Sequence, residues 1–255
     1  MQPVIRIGEL AIGSYVFFGM AGVTAAILYA VFVWRKYLRN RLFVLHFVNI
    51  VILTCLAGEL GTRLLRMIFK VIGTACTEGI SAVPALGINM FSMRVYYGTP
   101  LCVAAVLFLY DRYYKLPHGD TFSVSMPGLA LFHVIGRAGC YLAGCCYGIE
   151  SSLGFLYVNG VRRFPVQLVE SLCNLGLFFL LYYTAWYKNR RDEVLLLYFL
   201  GYGVIRFLLE FLRGDTGRLF WIGLSESQWI ALLTALPAGI ILLRRRYRYK
   251  ERTKV

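Results

Sequence analysis

Tyr198, Tyr202, Arg206, Glu210 and Arg213 recur at steps of four, four, four and three residues inside an otherwise apolar stretch. On a helix that spacing puts all five on one face. A second stretch carries His133, Arg137 and Tyr141 at steps of four, with Cys140 beside them, and a third carries Gln167, Glu170 and Asn174 at steps of three and four. Ionisable side chains at the middle of a membrane helix cost roughly 2.5–3.5 kcal/mol each on insertion scales, so these stripes must face one another or water. Guanidinium is planar, permanently charged and forks onto phosphate, so Arg137 and Arg206 read as an anion-binding pair. The competing reading is internal pairing, Arg206 with Glu210 and Arg137 with Glu170. Counting Arg137, Arg206 and Arg213 against Glu170 and Glu210 leaves one positive charge over, which favours an anionic ligand. The anion nearest to hand is a phospholipid phosphodiester.

The elements that must carry these stripes follow from composition. Of 255 residues, 59% are hydrophobic and 16% charged, against about 45–50% and 25% in soluble domains. Mean hydropathy is +0.64. Disorder requires the opposite bias, and a soluble domain has no core large enough for this much apolar surface. The composition predicts an all-α polytopic membrane protein with about seven transmembrane helices and a polar site facing the outer leaflet. A span takes about 20 mostly apolar residues. The candidates are Gly13 to Trp34, Leu42 to Gly58, Val95 to Tyr110, Phe122 to Ala143, Val166 to Trp186, Val194 to Leu212 and Gln228 to Leu243. Residues 1–243 thus form one transmembrane domain, and 244–255 a basic tail. The segment 59–94 contains TRLLRMIFKVI, which reads as a helix lying in the outer interface. The N-terminus lacks a basic flank and a small-residue cleavage site, so the first span is expected to remain in the mature protein.

Net charge is +14. With the N-terminus outside, 16 of the basic residues fall on the inner side and nine on the outer, with Arg137 and Arg206 inside spans. That distribution predicts a multi-pass cell-membrane protein with the N-terminus outside and the C-terminus cytoplasmic. The tail RRRYRYKERTK reads as a ligand for anionic lipid headgroups. No base-reading fold accompanies it, so nucleic acid is not an expected partner. The same topology brings Arg137, Arg206, Gln167 and Glu170 to one depth near the outer leaflet. Tyr15, Tyr97, Glu59 and Arg63 join them from the outer ends of the first three spans.

The sequence has seven cysteines. Cys55, Cys102 and Cys173 lie in apolar spans and read as small core residues. Cys140, Cys145 and Cys146 cluster at the outer end of the fourth span. A thiolate near Arg137 would be chemically active; a disulfide, with Cys76 as one partner, would suit an oxidising side. C-x4-C-C is poor zinc spacing and the three histidines are scattered, so no metal site is expected. His133, one turn before Arg137, is a candidate base or a buried hydrogen-bonded histidine.

The fourth span ends in GRAGCYLAGCCYG; RRFPVQLVES, LGYGVIRFLLEFLRGD and GLSESQWIAL follow in that order. Together, from about Tyr96 to Leu232, these resemble the prolipoprotein diacylglyceryl transferase family. The resemblance implies seven spans, the N-terminus outside and a site open to the outer leaflet. It implies transfer of diacylglycerol from phosphatidylglycerol to the lipobox cysteine of an exported preprotein, leaving glycerol phosphate, without a cofactor. By motif position, Arg137 and Arg206 would bind the phosphate. Gln167, Glu170, Tyr202, Glu210 and Arg213, with Tyr15, Gly136 and Gly139, would bind substrate. Tyr97 stands where the family has the histidine proposed as base, Cys140 where it has asparagine, and Cys145 where it has glutamate. Tyr97, Cys140, Cys145 and His133 therefore join the two arginines as catalytic candidates. Alternatives are a family member with a different acceptor or cysteine-dependent chemistry, and a non-catalytic lipid-binding or transport protein.

The topology generates the first prediction. Single cysteines introduced after Leu243 should resist an impermeant thiol reagent in intact cells lacking the native thiols, while cysteines in the 148–164 loop react. The reverse pattern would overturn the orientation.

Overall fold

A computed structural model describes residues 3–8, 10–77, 79, 95–156, 160–215 and 220–252. Seven long helices dominate the described residues: α1 (Ser14–Val33), α2 (Val44–Thr77), α3 (Gly98–Tyr114), α4 (His118–Ala143), α5 (Val166–Tyr182), α6 (Val194–Glu210) and α7 (Glu226–Arg252). Each expected span corresponds to one of them. Among the described residues, four stretches are long and apolar enough to cross a bilayer, namely Ser14–Leu38, Val44–Ala75, Val166–Tyr187 and Glu226–Arg248. The first and third gain their length from π-helical turns at Trp34–Leu38 and Tyr183–Tyr187 that continue α1 and α5. The other three helices are α3 and α6, of 17 residues each, and α4, which carries the polar stripe.

Two boundaries differ from expectation. The helix α2 does not break near Glu59: it runs 34 residues without interruption, about 51 Å at 1.5 Å per residue. TRLLRMIFKVI therefore extends the second span instead of starting a separate helix, because nothing in Gly58-Glu59-Leu60-Gly61 removes a backbone donor. The rest of the expected interfacial segment, from 80 to 94, lies outside the described residues, as does the side chain of Cys76. At the other end, the basic tail continues α7 to Arg252.

Three short antiparallel pairs decorate the helices, and none was expected: β1 (Val4–Ile7) with β2 (Leu10–Gly13), β3 (Glu150–Leu156) with β4 (Arg162–Arg163), and β5 (Phe220–Trp221) with β6 (Leu224–Ser225). They precede α1, join α4 to α5 and join α6 to α7, respectively.

The central helix is α4, packed on α1 and α5 and touching α3 and α6. Its first half is buried on all sides, from Gly119 to Ala130. Pro127 sits inside it. Proline has no N–H, so the carbonyl four residues back is left without its helical donor. The hydroxyl of Tyr29 on α1 donates to that carbonyl, Ser123 O, at 3.0 Å. The end of the bundle bearing the start of α4 is tied by charge: Arg191 donates to Asp120 at 2.6 Å, and His118 and Thr121 hold Asp111 at 3.0 and 2.8 Å.

The helices α2 and α3 meet backbone to backbone. A Cβ on Gly98 would lie 1.9 Å from Gly61 O, and one on Gly61 would lie 2.1 Å from Gly98 O. Only glycine at both positions permits this crossing, which in turn places Tyr97 at the head of α3. Gly98→Val should therefore destabilise the protein by at least about 1–3 kcal/mol, the usual cost of overpacking. The readout is thermal unfolding in detergent. A variant melting with the wild type would refute the close crossing.

Candidate functional site

The site is built around one carboxylate. Glu170 leaves the first turns of α5 and is 1% exposed. Its Oε1 accepts from Arg137 Nη2 of α4 at 2.9 Å, and its Oε2 lies 3.5 Å from Arg206 Nη1 of α6. Arg206 also pairs through Nη2 with Glu210 at 2.7 Å and donates to Ser227 at the start of α7 at 3.3 Å. Both internal pairs considered from the sequence are thus present. The surplus cation is not: Arg213 forms a two-pronged pair with Asp215, just past the end of α6, and the five charges counted earlier become six that balance.

Several polar atoms of the site are buried without a hydrogen bond among the described residues, the acceptor Glu226 Oε2 and a group of donors. Arg137 Nε donates to His133 Nε2 at 3.0 Å. That nitrogen accepts, so the ring carries its proton on Nδ1. The Nδ1–H is buried and has no partner among the described residues. Neither have the hydroxyls of Tyr97 and Tyr202, and Arg206 Nη1 makes no hydrogen bond beyond its 3.5 Å ion pair. His133 was a candidate base from sequence. Its one basic nitrogen is occupied by Arg137, so it acts as a donor instead.

Three of the residues that carry these donors, Tyr97, His133 and Arg206, line a cavity of about 980 Å³. Arg137, Arg213, Asp215, Glu226 and Ser227 line the same end. Glu59 and Arg66 of α2 are also in the wall; the rest is mostly apolar and runs between α1, α2 and α4, past Val16, Met20, Val23, Ile27, Ile50 and Leu129. From Arg137 down α4 to Val124, also in the wall, is 13 residues, about 20 Å along the helix. One end is thus polar and the remainder is the length of an acyl chain.

The other expected residues are distributed around this frame. Tyr15 stands half-exposed at the wall, and Gly136 faces the cavity with nothing within 4 Å of where a Cβ would point. Gly139 is turned the other way, where a Cβ would meet Phe18 Cβ at 2.6 Å; it lets α1 approach α4 and is not among the residues lining this cavity. Tyr202 and Glu210 are buried behind the arginines. Gln167 donates to the Cys145 carbonyl at 2.7 Å, anchoring the loop after α4 to α5. Cys55, expected in the core, is exposed and borders the cavity. Tyr96 was missed by sequence reasoning. Its ring stacks on His133 at 3.7 Å and its hydroxyl lies 3.1 Å from Tyr198. It falls at the ragged start of a short span, where no periodicity marks it.

The cysteines meet through a chain reversal. Gly144 ends α4 in the left-handed region at φ 75°, and Cys146 follows at φ 56°. A non-glycine residue pays for that conformation. The loop is held in it by Ile149 N to Leu212 O at 3.0 Å, Gly214 N to Tyr147 O at 3.0 Å and the Gln167 bond. As a result Cys146, which helical projection would put away from the Arg137 face, joins Cys140 in the cavity wall. All three Sγ atoms of Cys140, Cys145 and Cys146 lie within 4.8 Å of one another, and all three thiols are free. Hydrogen bonds from the Cys140 and Cys145 thiols, with the charges of Arg137 and Arg213, hold the Cys146 thiol well below the usual range.

A family model for prolipoprotein diacylglyceryl transferase matches residues 2–244. A phosphatidylglycerol–prolipoprotein diacylglyceryl transferase of Clostridium tetani is 30% identical over 203 residues, 75% of this chain and 77% of its own. A second protein of that name, from Clostridium perfringens, is 33% identical over 222 residues, 82% of this chain and 80% of its own. One from Streptococcus uberis is 28% identical and aligns over 96% of both chains.

Glu170→Gln keeps the shape of the hub and removes its charge, leaving Arg137 and Arg206 buried against a neutral amide. Breaking a buried pair this way costs about 3–5 kcal/mol. The variant should unfold at a clearly lower temperature in detergent; an unchanged melting temperature would mean that Glu170 is not what holds α4 to α6.

Proposed function

The chain belongs to the prolipoprotein diacylglyceryl transferase family, and from that premise we propose how its residues carry the transfer. It is a membrane transferase that moves diacylglycerol from phosphatidylglycerol to a prolipoprotein. The finer proposal is seven spans with the N-terminus outside and the basic end of α7 in the cytoplasm, so that the cavity takes its lipid from the outer leaflet. The acceptor is the lipobox cysteine of an exported preprotein.

The observation that carries the reading is the set of unmet donors at the polar end of an otherwise apolar cavity. A buried N–H or O–H without a partner costs about 1–3 kcal/mol. Tyr97, His133 and Arg206 carry such groups among the described residues, and all three residues line the cavity. A phosphodiester carries the acceptor oxygens to meet all three, and its two acyl chains fit the apolar length beside α1 and α2. The carboxylates of Glu170 and Glu210 hold the arginines from behind, so the guanidinium forks are aimed before the lipid arrives.

In the reaction the phosphate ester leaves as the acceptor sulfur attacks the glyceryl carbon. Negative charge grows on the departing oxygen, and donors fixed around it stabilise that state more than the ground state. Arg137 and Arg206 supply charge, while Tyr97 and His133 supply neutral hydrogen bonds. The acceptor must react as a thiolate.

Tyr97→Phe is the cleanest test. It removes an oxygen that has no hydrogen-bond partner among the described residues, so stability should hold or rise, while transfer of labelled diacylglycerol to a lipobox peptide should fall about 10²-fold. Arg206→Ala should abolish transfer, and Arg206→Lys should recover little, since a point charge cannot fork onto phosphate. Full activity in both Tyr97→Phe and Arg206→Ala would remove this end of the cavity from the mechanism.

A further inference from the structure

The transfer needs a thiolate. His133 has spent its basic nitrogen on Arg137, and the Glu226 carboxylate in the same wall pairs with Arg66 at 3.6 Å. The cavity wall instead holds thiols. Cys140 comes from the last turn of α4, Cys145 and Cys146 from the reversal beyond Gly144, and their sulfurs lie within 4.8 Å of one another. Zinc–thiolate bonds of about 2.3 Å at tetrahedral angles place sulfurs about 3.8 Å apart, so closing this triad on one ion needs movement of roughly 1 Å or less. The sequence spacing argued against a metal because C-x4-C-C read along a helix scatters its side chains. The left-handed residues Gly144 and Cys146 abolish that objection.

We propose that Cys140, Cys145 and Cys146 hold one thiophilic divalent cation of the zinc class, with a fourth position open to the cavity where the acceptor thiol binds as a thiolate. Several features support the assignment. Thiolates select soft or borderline ions. Three protein ligands with one open position is the arrangement of reactive rather than structural zinc sites. Access is from the right side, because Cys140 and Cys146 line the cavity and Cys145 stands behind them with its carbonyl held by Gln167. The cluster also lies beside cations, since Arg137 and Arg213 line the same cavity.

The role in transfer rests on the reading given under Proposed function; the metal site does not. Coordination strips the proton from the acceptor thiol, and that proton leaves to water. The held sulfur attacks the glyceryl carbon that bears the phosphate. An S–C bond forms, the C–O bond breaks, and glycerol phosphate departs with the electron pair. The cation changes no oxidation state.

The test uses full-length protein in nanodiscs, reduced, stripped with chelator and titrated with Zn²⁺ or Co²⁺. Metal content and thiolate-to-Co²⁺ charge-transfer absorption are read together. One ion per chain with the charge-transfer band is expected. Cys145→Ser and Cys146→Ser should each weaken binding at least tenfold, and the triple Ser variant should lose the band. Cys173→Ser, whose thiol is outside the cluster, should bind as the wild type and controls for folding. A reduced wild type that takes up no metal, or a triple variant that binds equally well, would overturn the site. Thiol-dependent binding without any transfer to a lipobox peptide upholds the site and counts against the transferase reading. Transfer at the loaded rate by protein verified metal-free overturns the activating role.

Discussion

One buried carboxylate organises this protein. Glu170 of α5 reaches Arg137 of α4 with one oxygen and Arg206 of α6 with the other. None of the three could be buried alone, because an unpaired charge in a low-dielectric interior costs several kcal/mol. The three helices are therefore obliged to meet at this height. Everything that faces the cavity follows from that obligation: the guanidinium groups are held from behind, and their remaining edges are left toward the space between α1, α2 and α4.

The division between inner and outer helices follows. The polar stripes lie on α4, α5 and α6, and α4 is the most enclosed of the seven. The helices α1 and α2 carry apolar side chains on nearly every face, and many of these are exposed. That is wrong for water and right for hydrocarbon. The cavity lies at the boundary between the two sets, with arginines at one end and aliphatic side chains along its length. A ligand with an anionic head and long apolar chains matches both parts; a soluble anion would leave most of the wall unused.

The turn after α4 is the third determinant. Gly144 and Cys146 take left-handed backbone conformations, and hydrogen bonds to α5 and to the end of α6 keep them there. A Cβ on Gly148 would meet Phe164 O at 2.3 Å, so the return of the chain past α5 and α6 needs glycine at that point. The reversal brings Cys146 back over Cys140 and beside the arginines. A strained residue next to a reactive one is a common economy at functional sites, since the surrounding bonds hold the geometry before substrate arrives.

Much of this was legible in the chain itself. Runs of about 20 apolar residues mark candidate membrane helices, and steps of three and four put Arg206, Glu210, Arg137 and Glu170 on inward faces, because helical periodicity is local and strong. The pairing of those charges was the competing reading there: Arg206 and Glu210 stand one turn apart on one face, while Arg137 and Glu170 come from separate helices. Other features belong to the tertiary structure alone. The surplus cation counted from the sequence vanished because Asp215 returns from beyond α6 to Arg213. Gly139 proved to be a packing contact with α1, and His133 a donor, since those roles depend on what another helix presents. Cys146 entered the cavity because two left-handed residues reverse the chain. Backbone conformation at such a turn is set by the contacts on either side of it, and no spacing rule along the sequence contains them.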